Sequence, residues 1–244
     1  MTALGTGDCV AHGRRAIGAG SRSFAQAARL LPRESREAAV LLYAWCRHCD
    51  DAVDGQHLGH GAREVHDARE RLARLRQATE DALRGTGTAH PAFDGLATAV
   101  RRHGIPGDWP RALLDGFGMD VSGTEYATLG DTLRYAYHVA GVVGLMMARV
   151  LGVTRDATLD RACDLGIAFQ LTNVARDVAE DARIGRVYLP QEWLAAAGLA
   201  RGDLACPTRA GDVHRVRCRL LASAEPYYDS AAVGIAELPF RSAW

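Results

Sequence analysis

From Ser21 onward, almost every long segment repeats its apolar residues at helical spacing, and almost none alternates apolar with polar at a period of two. That contrast limits the fold more than any other property, because strands present side chains at period two and helices at 3.6. Phe24, Ala27, Ala28 and Leu31 follow i, i+3, i+4, i+7 until Pro32 ends the segment. The run from Ala38 to Val53 is apolar almost all the way round, which predicts a central, buried helix, and Gly55 is placed to stop it. Further helices are predicted over 62–83, 91–103, 110–121, 128–151, 156–182, 191–197 and 209–235. Clusters of Gly, Pro and Thr such as "RGTGTAHP" and "GIPGDWP" separate them. Residues 1–20 are Gly-rich and aperiodic and predict a flexible N-terminal tail. The expectation is a single all-α domain over 21–244, built from roughly eight helices or more.

Composition removes several function classes. The chain has 244 residues, 48% hydrophobic and 24% charged, which suits a folded protein with one sizeable core. Lys+Arg 29 balances Asp+Glu 29, so no excess of positive charge points to nucleic acid. No lysine occurs, so any anion site must be built with arginine, whose forked guanidinium suits phosphate oxygens. The N-terminus has no apolar core of a signal peptide. The longest uncharged run, Tyr135 to Ala148, is shorter than the ~18 residues of a membrane span. Six irregularly spaced cysteines form no disulfide framework, and a reducing, cytoplasmic setting is the simpler reading.

The stretch "YAWCRHCDDAVDG" (Tyr43 to Gly55) carries two chemistries at once. Cys46 and Cys49 have the C-x-x-C spacing of a thiol oxidoreductase. That motif belongs at a helix N-terminus after a strand, where the dipole lowers the thiol pKa. Here the pair falls deep inside a predicted helix, so the cysteines read as small apolar fillers. Asp50 and Asp54, at i and i+4, stand on one face of the same helix. Two like charges at that spacing call for a cation or a basic group between them, and Arg47 lies one turn before Asp50.

A second stripe supports the acidic reading. In "FQLTNVARDVAED", Asn173, Asp177 and Asp181 fall at i, i+4 and i+8, with Gln170 and Arg176 beside them. Amide and carboxylate oxygens in line suit a hard, water-retaining cation such as Mg²⁺. Their helix otherwise offers Ile167, Phe169, Leu171 and Val174 to a core. Two acidic stripes on apolar helices suggest helices facing one another across a cavity, with metal ions between them binding a phosphorylated ligand. In "GSRSF", Ser21, Arg22 and Ser23 stand at a helix start, where they suit an anion, a helix cap, or both. Within "RYAYHVAGVVGLMMARV", Ala140, Gly141 and Gly144 thin a helix for close packing or for a long apolar ligand. His138 reads as a core or wall residue rather than a base.

These motifs, in this order, resemble the squalene/phytoene synthase family over about Ser21 to Trp244. The resemblance is carried by "GSRSF", "LYAWCRHCDDAVD", "LRYAYHVAGVVGLMMARVLGV", "RACDLGIAFQLTNVARDVAEDARIGRVYLPQEWL" and "AEPYYDSAAVGIAELPFRSAW". It implies an isoprenoid synthase helical bundle around a central apolar cavity. It also implies head-to-head condensation of two geranylgeranyl diphosphates to phytoene through a cyclopropyl diphosphate, as in carotenoid biosynthesis. Asp50 and Asp54 match the first metal motif; Asn173, Asp177 and Asp181 match the second. Ser21, Arg22, Ser23, Tyr43, Arg47, Gln170 and Arg176 match diphosphate-binding positions, and Tyr135 matches a tyrosine that steers the cation chemistry. The implied cofactor is Mg²⁺, with Mn²⁺ as a substitute, and no nicotinamide cofactor. The greasy substrate and product imply at most peripheral membrane contact. The chain departs from the family pattern at Gly55, where relatives carry a further Asp. It also ends at "RSAW", where relatives continue through a further helical segment. Alternatives are a fifteen-carbon substrate giving a squalene-type or dehydrosqualene-type product, and a truncated, non-catalytic binding protein. A role for Tyr227 or Tyr228 near the diphosphates stays open.

Overall fold

The computed structural model describes residues 4–55 and 67–238, apart from the Arg22 side chain. All regular elements among these residues are helical, as the periodicity predicts. The described chain groups into two compact units where the sequence is read as one domain. Of the described residues, one unit comprises 4–55, 67–121 and 146–152, the other 122–145 and 153–238.

In the first unit, α1 (Thr6–Gly20), α2 (Arg22–Arg29), α3 (Arg33–Asp54), α4 (Ala68–Arg84), α5 (Pro91–His103) and most of α6 (Asp108–Ser122) follow in order. α3 is the hub and touches α1, α2, α4 and α5. Its buried residues, among them Ala38, Leu41, Leu42, Trp45, Cys49 and Val53, lie on several faces, the mark of a central helix. Gly55 ends it in the left-handed region at φ 62, as predicted. α5 starts on His90, whose ring accepts from the Ala92 N–H, with Pro91 in the first turn.

Residues 6–20 are a helix and not the expected flexible tail. Glycines lower helix propensity, which hides α1 from a local reading. Packing decides it: Cys9, Val10, Gly13, Ala16 and Ile17 are buried. Gly13 lies so close to α3 that a Cβ there would sit 2.7 Å from the Val40 carbonyl oxygen. Just before the helix, the Leu4 N–H donates to buried Asp94 at 2.9 Å.

The second unit holds α7 (Leu129–Ala136), a π-helical turn (Tyr137–Gly141), and the start of α8 (Val142–Val150). These are followed by α9 (Asp156–Arg183), α10 (Gln191–Ala196) and α11 (Ala210–Ala236). A capping box, Thr128 with Asp131, starts α7. α9 is the hub, packed along α11 and against the π turn. Glycines set that second contact. A Cβ on Gly166 would run into the Ala140 carbonyl oxygen, and one on Gly144 into that of Ala162. The sequence assigns one helix over 128–151; the structure inserts a π turn there, which shifts the register of the helix after Tyr135.

Candidate functional site

In the first unit, the α1–α2 junction meets one stripe of α3. Ser21 caps α2, its Oγ accepting from the Phe24 N–H at 3.3 Å, while Ser23 is exposed in the first turn. The Arg22 side chain lies outside the described residues. Gly20 sits against Tyr43, and a Cβ at that position would collide with the Tyr43 hydroxyl. The Phe24 ring stacks on Tyr43 at 5.5 Å, and the Arg47 guanidinium lies 5.9 Å from the Tyr43 ring centroid. Arg47 Nη1 donates to Asp50 at 2.7 Å and stands 3.8 Å from Asp51.

Two buried polar atoms at this junction, the Tyr43 hydroxyl oxygen and Arg47 Nε, sit in no well-formed hydrogen bond, although the Arg47 side chain interacts with Tyr43. Buried donors are normally satisfied, so a pair of them beside a helix start fits an anion such as phosphate. Burial pushes the Asp50 carboxyl up to about 6; Arg47 pulls it down, while Asp54, Asp51 and Asp120 push it further up. Asp51 and Asp120 thus join a cluster that the D-x-x-x-D spacing alone did not reveal. Asp51 was legible as the neighbour of Asp50. Asp120 stands on α6 with no local signal, and the contacts of Gly20 and Phe24 with Tyr43 emerge only from packing.

In the second unit, α9 carries Gln170, Asn173, Asp177 and Asp181, all half-buried. Arg176 grips Asp177 through two hydrogen bonds, Nε to Oδ1 and Nη2 to Oδ2. Burial pushes the Asp181 carboxyl up to about 6, with Asp177 and Glu180 adding to the push and Arg186 and Arg176 opposing it. Tyr135 is buried in a trio of rings, stacked on Tyr188 at 4.6 Å and edge-on to Tyr126 at 5.5 Å. Thr132 ties this trio down by donating to the Tyr188 carbonyl at 2.8 Å. Ile167, Leu171 and Val174 are core residues as expected. Phe169 is not: it is 54% exposed, because it lies on the stripe side of α9 and not on its packed side. The Tyr228 hydroxyl meets Thr172 Oγ1 at 2.9 Å. Burial, with the nearby Asp164 carboxylate adding to it, raises the Tyr227 phenol pKa.

The donor set suits Mg²⁺: carboxylate and amide oxygens, with two carboxyls raised in a way that a cation would relieve. Among the described residues no three or more His, Cys, Asp or Glu side chains gather closely enough to hold a metal ion by themselves. A cation at either stripe would therefore complete its shell with water or ligand oxygens, as Mg²⁺ commonly does. The cysteines take no part. Burial pushes the Cys46 thiol up to about 12 and raises that of Cys49, the opposite of a reactive pair. A cavity of about 350 Å³ bounded by His48, Ala52, Arg71 and Phe93 contains none of the stripe residues. No described helix is long and apolar enough to cross a membrane.

The model of the squalene/phytoene synthase family matches residues 17–244. A 15-cis-phytoene synthase of Paracoccus sp. is 54% identical over 97% of this chain and 77% of its own length. Another, from Pantoea ananas, is 48% identical over 96% of this chain and 76% of its own. The crystal structure of a dehydrosqualene synthase in complex with ligand superposes with a TM-score of 0.80 at 28% identity, covering 93% of this chain and 76% of that one. The chain belongs to the squalene/phytoene synthase family.

Proposed function

We propose that the protein is a phytoene synthase, a prenyltransferase that condenses two geranylgeranyl diphosphates head to head into phytoene. The observation that carries this is the 54% identity, over 97% of the chain, to a 15-cis-phytoene synthase. Asp50, Asp54, Asn173, Asp177 and Asp181 are the residues that would hold Mg²⁺. When bound, Mg²⁺ supplies positive charge to the departing diphosphate and so favours ionisation of the allylic C–O bond. Ser21, Arg22, Ser23, Tyr43, Arg47, Gln170 and Arg176 bind and orient the diphosphates in this reading. The Tyr43 hydroxyl and Arg47 Nε, neither in a well-formed hydrogen bond, support it, since both can donate to a phosphate oxygen. Tyr135, held by two further rings, presents an electron-rich face to cationic carbon. Substrate and product are long hydrocarbons, so we place the chain in peripheral contact with a membrane.

The test is incubation with geranylgeranyl diphosphate, or with its fifteen-carbon homologue, in Mg²⁺ without reductant, followed by identification of the hydrocarbons. Phytoene from the longer substrate is expected. A squalene-type or dehydrosqualene-type hydrocarbon as the main product would move the reading to the shorter substrate. A folded sample that turns over neither would overturn it.

A further inference from the structure

α9 turns one large aromatic residue outward. Phe169 is 54% exposed, whereas Ile167, Ala168 and Leu171 around it are 8%, 0% and 0% exposed. Exposing a phenyl ring in mid-helix forgoes its burial free energy, so its direction calls for a reason. Register supplies one. Phe169, Asn173, Asp177 and Asp181 stand at i, i+4, i+8 and i+12 of one helix. Phe169 therefore continues the polar stripe by one turn, about 6 Å along the axis.

The ring is also supported. Tyr228 of α11 meets it edge to face at 5.9 Å between centroids. Thr172 Oγ1 donates to the Ala168 carbonyl at 2.9 Å, so its proton is spent and the Tyr228 hydroxyl is the donor in their 2.9 Å contact. Tyr228 is thereby fixed to the same two turns of α9 that carry Phe169.

We propose that Phe169, held by Tyr228, is the wall against which the allylic end of the prenyl substrate lies, and that it keeps water from the cation formed there. The proposal rests on the reading that the α9 stripe holds a diphosphate. With the diphosphate at Asn173 and Asp177, the first carbons of its chain reach the next turn, where Phe169 stands. When the C1–O bond breaks, its electron pair leaves with the diphosphate and positive charge spreads over C1 to C3. The π pair of the second substrate's C2–C3 bond then forms the new C–C bond, and a proton is lost as the cyclopropane closes. Water competes: its oxygen lone pair forms a C–O bond to the same cation, and loss of a proton leaves an allylic alcohol. A phenyl face attracts the cation and its bulk excludes the water. Phe169 is thus a specificity-determining residue, and Tyr228 its positioning residue.

The test compares the native chain with Phe169→Ala, Phe169→Tyr and Tyr228→Ala, using geranylgeranyl diphosphate, Mg²⁺ and isotopically labelled water. Phe169→Ala should raise the share of labelled alcohol among products by about tenfold. Phe169→Tyr should restore the native product ratio, and Tyr228→Ala should fall between. An alcohol share within about twofold of native in Phe169→Ala overturns the proposal, as does a loss of rate alone. A second arm uses calorimetry with a non-ionising thio analogue of geranylgeranyl diphosphate and with inorganic diphosphate. Phe169→Ala should weaken the analogue about fivefold or more and leave inorganic diphosphate within about twofold. If the native chain turns over no substrate, the phytoene reading fails by itself and this arm decides for Phe169. An unchanged ratio of the two affinities overturns it.

Discussion

Arg176 and its chain neighbour Asp177 are joined by two hydrogen bonds, of 2.7 and 2.6 Å. A carboxylate held at both oxygens must loosen that grip before it ligates a cation, and the guanidinium so released is free for phosphate oxygens. In the proposed reading the pair would act as a swap, Asp177 turning to the metal and Arg176 to the diphosphate. Arg176→Ala should bind Mg²⁺ alone at least as tightly as the native chain, yet bind inorganic diphosphate more weakly, both read by calorimetry. Its melting temperature should hardly move, because the Arg176 side chain is exposed and such a pair contributes at most about 1 kcal/mol. Asp177→Asn should lower hydrocarbon formation about a hundredfold or more.

Gly20→Ala sets a Cβ against the Tyr43 hydroxyl, so the ring must shift. Overpacking of this kind costs about 1–3 kcal/mol. Tyr43→Phe removes a buried hydroxyl that sits in no well-formed hydrogen bond and should change stability little. The double variant should regain most of the stability that Gly20→Ala loses, while inorganic diphosphate binding stays weak. Urea denaturation and calorimetry together check this; a double variant as unstable as Gly20→Ala would show that the clash lies elsewhere.

Asp50 and Asp181 both titrate at about 6, above the ordinary carboxylate range. A carboxyl raised in the fold holds its proton more tightly folded than unfolded. Its stabilising contribution is complete below about pH 4 and is lost as pH rises through 6. Asp50→Asn should therefore melt higher than the native chain at pH 8 and equally at pH 4. The gain should be about 1 kcal/mol, discounted because the side chain is one-third exposed. Mg²⁺ must displace these protons, so its rise in melting temperature should be larger at pH 8 than at pH 5. Scanning fluorimetry across this range checks both signs.

Gly144→Ala and Gly166→Ala each drive a methyl group into a backbone carbonyl, which cannot rotate away as a side chain can. Each should destabilise the second unit by about 3 kcal/mol or more, measured by chemical denaturation. Gly202→Ala and Gly211→Ala, with nothing near their Cβ positions, serve as neutral controls.

Much of this was legible in one dimension. Helical periodicity, the stop at Gly55, the buried character of α3 and the i, i+4 pairing of the acidic residues all depend on near neighbours in the chain. The demotion of Cys46 and Cys49 followed from their place inside a helix, and their raised thiol pKa agrees with it. What escaped were features set by contact. α1 reads as a tail because its glycines lower local propensity, yet one of them, Gly13, lets it press against Val40. Phe169 looked like a core residue because its type is apolar, but burial is a property of direction.

The sequence by itself determined the all-α class, the two acidic stripes and the family, because each is written in residue types at short, regular intervals. Only the tertiary structure decided which polar groups have partners. It left Tyr43 Oη and Arg47 Nε in no well-formed hydrogen bond beside Gly20, brought Asp51 and Asp120 into the field of Asp50, and tied Arg176 to Asp177. Hydrogen bonding and desolvation depend on distances between atoms remote in the chain, and those distances exist only once the helices have packed.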